Sequence, residues 1–219
     1  MNAAIEQLPR IAVLGAGRVG SAMARVTVEA GYDVSMAASA DPQKIALIAQ
    51  ILTPGAEPRW AADAIERADV VMLAIPLHRF DAFDASLLDG KLVVDLMNYW
   101  APTDGVQQLF ENELLSSSEV VQQRLAGSTV VKAFNHIGYH ELESERRPVG
   151  AADRKALGVA SNDAAAADVV ARIVERIGYD VVTLDSLAAG RSFEPGGPVF
   201  GSTLDRAEFD AAVRVELAA

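Results

Sequence analysis

Three glycines spaced as Gly15-Ala16-Gly17-Arg18-Val19-Gly20 follow the apolar run Ile11-Ala12-Val13-Leu14 and open an alanine-rich stretch that ends at Gly31. Between a strand and a helix, that spacing lets backbone come close to a phosphate ester. Gly15 would permit the tight turn, Gly17 would admit a pyrophosphate to the main chain, and Gly20 would let helix and strand pack closely. The whole loop is therefore a candidate site for the pyrophosphate of a dinucleotide. Arg18 falls in the first helical turn, where the helix dipole disfavours a cation unless a phosphate lies beside it.

The tip of the second strand decides between the two nicotinamide dinucleotides. NAD-binding chains usually place an acid there, about 20 residues past the loop, for the ribose hydroxyls. Ala38 occupies that slot here, followed by Ser39-Ala40-Asp41-Pro42. Asp41 before Pro42 reads as a helix N-cap with proline in the first turn. With no acid at the tip, a 2′-phosphate meets no repulsion, and Ser39, Arg18 or Lys44 could donate to it. NADP is expected over NAD.

In a sheet that binds a dinucleotide, ligands sit just past the C-terminal strand ends, which nominates Ile75, Pro76, Leu77, Asn98 and Asn135 as cofactor contacts. His136 follows directly and is the candidate proton donor. His136 and His140 would share a helix face if that segment were helical, but no further cluster of ligands accompanies them, so no metal is expected. Tyr32, Tyr99, Tyr139 and Tyr179 are followed four residues on by Met36, Thr103, Glu143 and Thr183, which excludes a Tyr-x-x-x-Lys proton relay. The chain has no cysteine, which excludes thiolate nucleophiles, disulfides and Cys-ligated metal; redox chemistry must come from bound cofactors. Tyr99, Trp100, Phe193 and Phe200 could stack on a planar second cofactor, with ordinary packing as the default.

The elements that must position these residues alternate. Asp33 to Met36, Val70 to Ile75, Leu92 to Asp95, Thr129 to Phe134, Lys155 to Ala160 and Asp180 to Leu184 read as strands, several of them apolar on both faces. Helices are expected over 21–30 and 164–177, the latter closed by Gly178, and Ser116 reads as a helix cap. This pattern predicts an α/β fold of the Rossmann type, a doubly wound, mostly parallel sheet of about eight strands over residues 1–185. A Gly/Pro-rich loop over 190–198 and a helix near 205–215 form a short C-terminal extension, 186–219, expected to pack on the cofactor side.

At 219 residues and 51% hydrophobic composition the chain can bury a full core. Its net charge of -11 argues against nucleic acid as a partner. The longest apolar runs fall well short of the roughly 20 residues that cross a bilayer, and no leader pattern opens the chain, so a cytoplasmic protein without a membrane partner is expected.

The segments Ser39-Ala40-Asp41-Pro42-Gln43-Lys44, Ala68 to Pro76, Val93-Val94-Asp95-Leu96-Met97-Asn98 and Val130-Val131-Lys132-Ala133-Phe134-Asn135, with the glycine loop, resemble the F420-dependent NADP oxidoreductase family. The resemblance implies a Rossmann domain with a small C-terminal portion, a homodimer, and hydride transfer between NADP and coenzyme F420 or a related flavin. Two departures stand out. The family pattern Gly-Ser-Arg after the second strand, whose Ser and Arg hold the 2′-phosphate, is Ala38-Ser39-Ala40 here, and the C-terminal portion is shorter and less helical. Two other readings stay open: an NADPH-sensing binding module, and an NADPH-dependent reductase of a small carbonyl or imine with His136 or Tyr139 as proton donor.

Overall fold

Strands that are apolar at every position can be satisfied only inside a sheet covered on both faces. The computed structural model describes residues 7–39, 41–111 and 114–217. Its elements run β1 (Ile11–Leu14), α1 (Arg18–Glu29), β2 (Val34–Ala37), α2 (Gln43–Leu52), β3 (Glu57–Pro58), α3 (Ala61–Arg67), β4 (Val70–Leu73), β5 (Leu92–Asp95), α4 (Ala101–Asp104), α5 (Ser117–Arg124), β6 (Thr129–Ala133), α6 (Glu141–Ser144), β7 (Ala156–Ala160), α7 (Ala164–Ile177), β8 (Asp180–Leu184) and α8 (Arg206–Leu217). Every residue of β1, β2, β4 and β7 is buried.

The strands form one eight-stranded sheet in the order β3-β2-β1-β4-β5-β6-β7-β8. All neighbours are parallel except β6 and β7. The chain winds outward from β1 in one direction through β2 and then returns to β4 on its other side. The crevice between the carboxyl ends of β1 and β4 is thus the switch point where such sheets bind ligands. The expected architecture is the one observed. The edge strand β3 escapes sequence reading because two residues, Glu57 and Pro58, carry no apolar alternation; proline is tolerated there because an edge strand has a free N–H side. The helix expected from Ser21 starts at Arg18, with Gly17 as its N-cap.

One apolar cluster packs under α1 and α7, around Met23, Val26, Val170 and Ile173. A second, with Ile65, Leu73, Phe80, Leu88 and Val121, fills the opposite face under α3 and α5. At the carboxyl ends of β5 and β6, Asp95 and Lys132 stand side by side in register and are fully buried. Lys132 Nζ donates to Asp95 Oδ2 at 3.1 Å, to the Met97 carbonyl at 2.5 Å and to Ser117 Oγ at 3.3 Å. Asp95 also accepts the Ser118 hydroxyl at 2.6 Å and the Met97 amide at 2.9 Å. The start of α5, capped as expected by Ser116 in a capping box with Glu119, is tied to the chain beyond β8: Ser116 Oγ donates to the Leu187 carbonyl at 2.9 Å and the Ser117 amide to Glu194 Oε1 at 2.6 Å.

That C-terminal segment covers β7 and β8. Phe193, Val199, Phe209 and Val213 pack on Ala156, Ala160 and Val182. His136 is sealed into the same cluster, its ring 5.0 Å from Phe193 and 5.4 Å from Phe209 between centroids. His136 Nε2 accepts the Gly158 amide at 3.2 Å. Burial, helped by the nearby Lys132 charge, pulls its pKa down from the ordinary 6.5 to about 3.

Lys132→Met leaves Asp95 buried without its cation and is expected to cost about 3–5 kcal/mol in urea unfolding. The double variant Lys132→Met, Asp95→Leu should recover most of that loss; no recovery would mean that the hydroxyls, and not the ion pair, hold the strand ends. His136 generates a pH dependence. Between about 3 and 6.5 the unfolded chain holds a proton that the folded chain refuses, so stability falls as pH drops below about 6.5. The slope from one such group is about 1.4 kcal/mol per pH unit. Unfolding free energies of His136→Phe between pH 6.5 and 4 should be shallower by that amount, and an unchanged slope would place the imidazole in contact with water.

Candidate dinucleotide site

The glycine loop joins β1 to α1 across the switch point. Gly15 donates its amide to the Ala37 carbonyl at 2.8 Å, and Ala74 donates to the Leu14 carbonyl at 2.9 Å, so the loop is held from both neighbouring strands. Gly15 has φ +126°, and a Cβ there would strike the Ala74 carbonyl oxygen; a Cβ on Gly20 would strike the Gly15 carbonyl. Both glycines are required by the protein's own backbone. Gly17 differs: an added Cβ meets nothing within 4 Å. No side chain caps α1, and its first turn has no acidic residue. The free N–H groups of that turn therefore face the space that Gly17 leaves open, an arrangement suited to a phosphate group.

A groove of about 630 Å³ runs from this loop, lined by Gly15, Ala16 and Gly17, by Ala38 and Ser39 at the β2 tip, and by Ile75 and Pro76 after β4. These expected contacts are brought together. Val19 lies exposed on the first turn of α1, and Gly20 is buried behind the loop. Arg18 turns away from the β2 tip: its guanidinium lies 5.8 Å from the centre of the Tyr139 ring, with Nη1 at 3.4 Å from the hydroxyl. Lys44 is exposed on α2 and does not line the groove, while Leu77 is buried in the core beneath it. Asp41 accepts the Gln43 amide at 2.9 Å, but the N-cap of α2 is Pro42 and not Asp41 as expected, because Pro42 already has helical backbone angles before the first α-helical residue, Gln43. Ala40 lies outside the described residues.

Asn98 and Asn135, past β5 and β6, clasp each other. Asn98 Nδ2 donates to the Asn135 carbonyl at 2.7 Å, and Asn135 Nδ2 donates to Asn98 Oδ1 at 2.8 Å and to the Phe193 carbonyl at 2.7 Å. Phe134 makes this possible by adopting φ +63°, a left-handed conformation that is strained for an aromatic residue. His136 follows on the far side of the clasp, inside the C-terminal cluster. His78 and His140 are exposed, and His136 and His140 share no helix face because residues 134–140 form turns. Among the described residues no group of three or more potential metal ligands converges.

A second cavity, about 700 Å³, lies between Tyr99, Phe110 and Glu111 on one side and Arg191 and Glu194 to Gly197 on the other. Tyr99 is stacked on Phe110 at 5.5 Å. Trp100 and Phe200 are exposed and Phe193 is fully buried. A cavity of similar size beside Arg10, Tyr32 and Arg176 opens at the amino ends of the strands, away from the glycine loop.

The residue that sequence reading missed is Arg79. It ends the turn Leu77–Arg79 after β4, lines the groove, and donates Nη1 to Ser39 Oγ at 3.1 Å. The only sequence signal was Pro76, which starts that turn; nothing local shows that Arg79 returns to the β2 tip.

Residues 10–99 match the family described as NADP oxidoreductase coenzyme F420-dependent. No curated protein matches the sequence. Among solved structures, a hypothetical protein from Sinorhizobium meliloti is 27% identical with a TM-score of 0.75, over 92% of this chain and 98% of that one. A proposed F420-dependent NADP reductase from Arthrobacter sp. FB24 is 27% identical with a TM-score of 0.68, over 84% and 87%. An imine reductase variant from Myxococcus stipitatus, in complex with NAD+, is 16% identical with a TM-score of 0.59 over 97% of this chain but 62% of that one, a likeness of fold alone. Residues 10–99 accordingly match the coenzyme F420-dependent NADP oxidoreductases, the described chain has a Rossmann-type NAD(P)-binding fold, and the two findings together support an NADP-dependent oxidoreductase.

Proposed function

We propose that this protein passes a hydride between NADP and a flavin-like acceptor such as coenzyme F420, acting as a cytoplasmic homodimer. The observation that carries the dinucleotide part is the open space at Gly17 in front of an uncapped helix start. Gly17 lines the groove beside Gly15 and Ala16 but, unlike Gly15 and Gly20, has no clash within the fold that forbids a side chain, so a ligand that comes to van der Waals contact there explains it. Gly15 and Gly20 shape the loop, the first turn of α1 offers its amides to the pyrophosphate, and Ile75 and Pro76 give the groove an apolar wall.

When bound, the nicotinamide and its acceptor supply the redox chemistry, and the protein's task is to hold their rings together and exclude water. Transfer of this kind needs no side-chain acid. The burial of His136 removes one of the two candidate proton donors for reduction of a carbonyl or imine: the imidazole is neutral at physiological pH, and its Nε2 is occupied by the Gly158 amide. His136 is better read as the residue that seats the C-terminal segment on β6 and β7. The Asn98–Asn135 clasp joins the ends of β5 and β6 without lining the groove, and the next residue, Tyr99, lines the second cavity, where the acceptor is proposed to enter.

Gly17→Ala should weaken NADPH binding about tenfold or more while leaving thermal stability unchanged, because its backbone at φ -81°, ψ -170° suits any residue. Undiminished NADPH affinity would remove the loop from the site. Oxidation of NADPH followed at 340 nm is expected to be supported by F420 or a flavin among F420, FMN, FAD and ferric chelates. Tight NADPH binding with no oxidation by any of them would overturn the enzyme reading and favour a sensing module.

A further inference from the structure

We infer that Arg79, reaching across from the turn after β4, is the residue that recognises the 2′-phosphate of NADP and sets the preference over NAD. This rests on the NADP reading above and assigns a specificity-determining residue to it.

The β2 tip needs a cation to hold a phosphate, and its own residues do not supply one: Ala38 and Ser39 are all that the described tip offers. In a chain of net charge -11, an incoming dianion gains nothing from the overall field, so attraction has to be local. Among the described residues lining the groove none is acidic, and Arg79 is the cation. Arg18 is directed to Tyr139 and does not line the groove, and Arg59, after β3, is paired with Glu57 at 2.5 Å.

The turn that carries Arg79 is firmly seated. Leu77 and Phe80 on either side are buried in the core, and the Arg79 amide donates to the Pro76 carbonyl at 2.9 Å, so the guanidinium projects from a fixed base. Its bond to Ser39 Oγ brings a hydroxyl and a planar set of N–H donors to one point at the strand tip. No carboxylate among the described residues makes an ion pair with Arg79, which leaves most of its donors available. A guanidinium with a hydroxyl beside it matches a phosphate monoester, which accepts through three oxygens; a ribose hydroxyl would leave most of those donors unused.

Arg79→Gln and Arg79→Lys test this in the full chain, by calorimetric titration with NADPH, NADH, 2′,5′-ADP and 5′-AMP. Arg79 is exposed and makes one side-chain bond, so melting temperatures should match wild type. Arg79→Gln is expected to weaken NADPH and 2′,5′-ADP about 10- to 100-fold, with NADH and 5′-AMP changed less than about threefold. Arg79→Lys should fall between, and the salt dependence of NADPH binding should flatten in Arg79→Gln. Equal losses for phosphorylated and unphosphorylated ligands would show that Arg79 serves the adenine, and overturn the assignment. Selectivity for NADPH that survives in Arg79→Gln would overturn it while sparing the NADP reading. Wild-type protein that binds NADH as tightly as NADPH would overturn both.

Discussion

The ion pair between Asp95 and Lys132 is the constraint on which the ligand end of the sheet depends. Two charges removed from water cost several kcal/mol each, and their attraction offsets that only where every remaining donor and lone pair is engaged. Here the three protons of the ammonium go to a carboxylate, a carbonyl and a hydroxyl, and the carboxylate takes an amide and a second hydroxyl as well. The arrangement can be satisfied in only one register of β5 against β6 and one seating of α5. Because Ser116 and Ser117 in turn hold Leu187 and Glu194, the same network fixes where the C-terminal segment crosses the strand ends. The Asn98–Asn135 clasp lies immediately beyond it and inherits its geometry.

At the other side of the sheet the constraint is steric. Gly15 and Gly20 leave no room for a side chain because loop, helix and neighbouring strand approach to backbone contact, whereas Gly17 is open. The motif thus separates into residues that build the turn and one that faces outward. The uncapped start of α1 points the same way: an N-terminus without a capping side chain or an acid is an unmet electrostatic demand, and it stands beside the groove at the switch point.

What the sequence revealed was local. Strand and helix positions, the Ser116 cap, the Asp41 turn and the glycine loop are each decided within a few residues, by burial periodicity or by backbone hydrogen bonding. What it concealed was set by contacts across the fold. Arg79 meets Ser39 over a separation of 40 residues, and no periodicity records that the turn after β4 folds back to the β2 tip. Leu77 sits one residue past the groove and points into the core, because the turn that exposes Arg79 must bury a neighbour to be held. His136 follows a strand end, the position that usually faces a ligand. The left-handed Phe134 and the C-terminal cover place it instead between Phe193, Phe209 and Gly158.

The burial of His136 ties the strand ends and the C-terminal segment into one chemical design. A histidine kept neutral and dry is of little use as an acid, but it is well suited to join surfaces, since its ring packs as an aromatic while Nε2 satisfies a strand amide that would otherwise be orphaned. Its carbonyl accepts the Gly201 amide at 2.7 Å, so both the ring and the backbone of His136 bind the C-terminal segment. That segment also forms one wall of the second cavity and accepts the Asn135 side chain. The same cover therefore keeps the imidazole dry, holds Asn135 through the Phe193 carbonyl and walls the second cavity. The dry packing around His136 and the geometry of the strand ends are thus two aspects of the same closure.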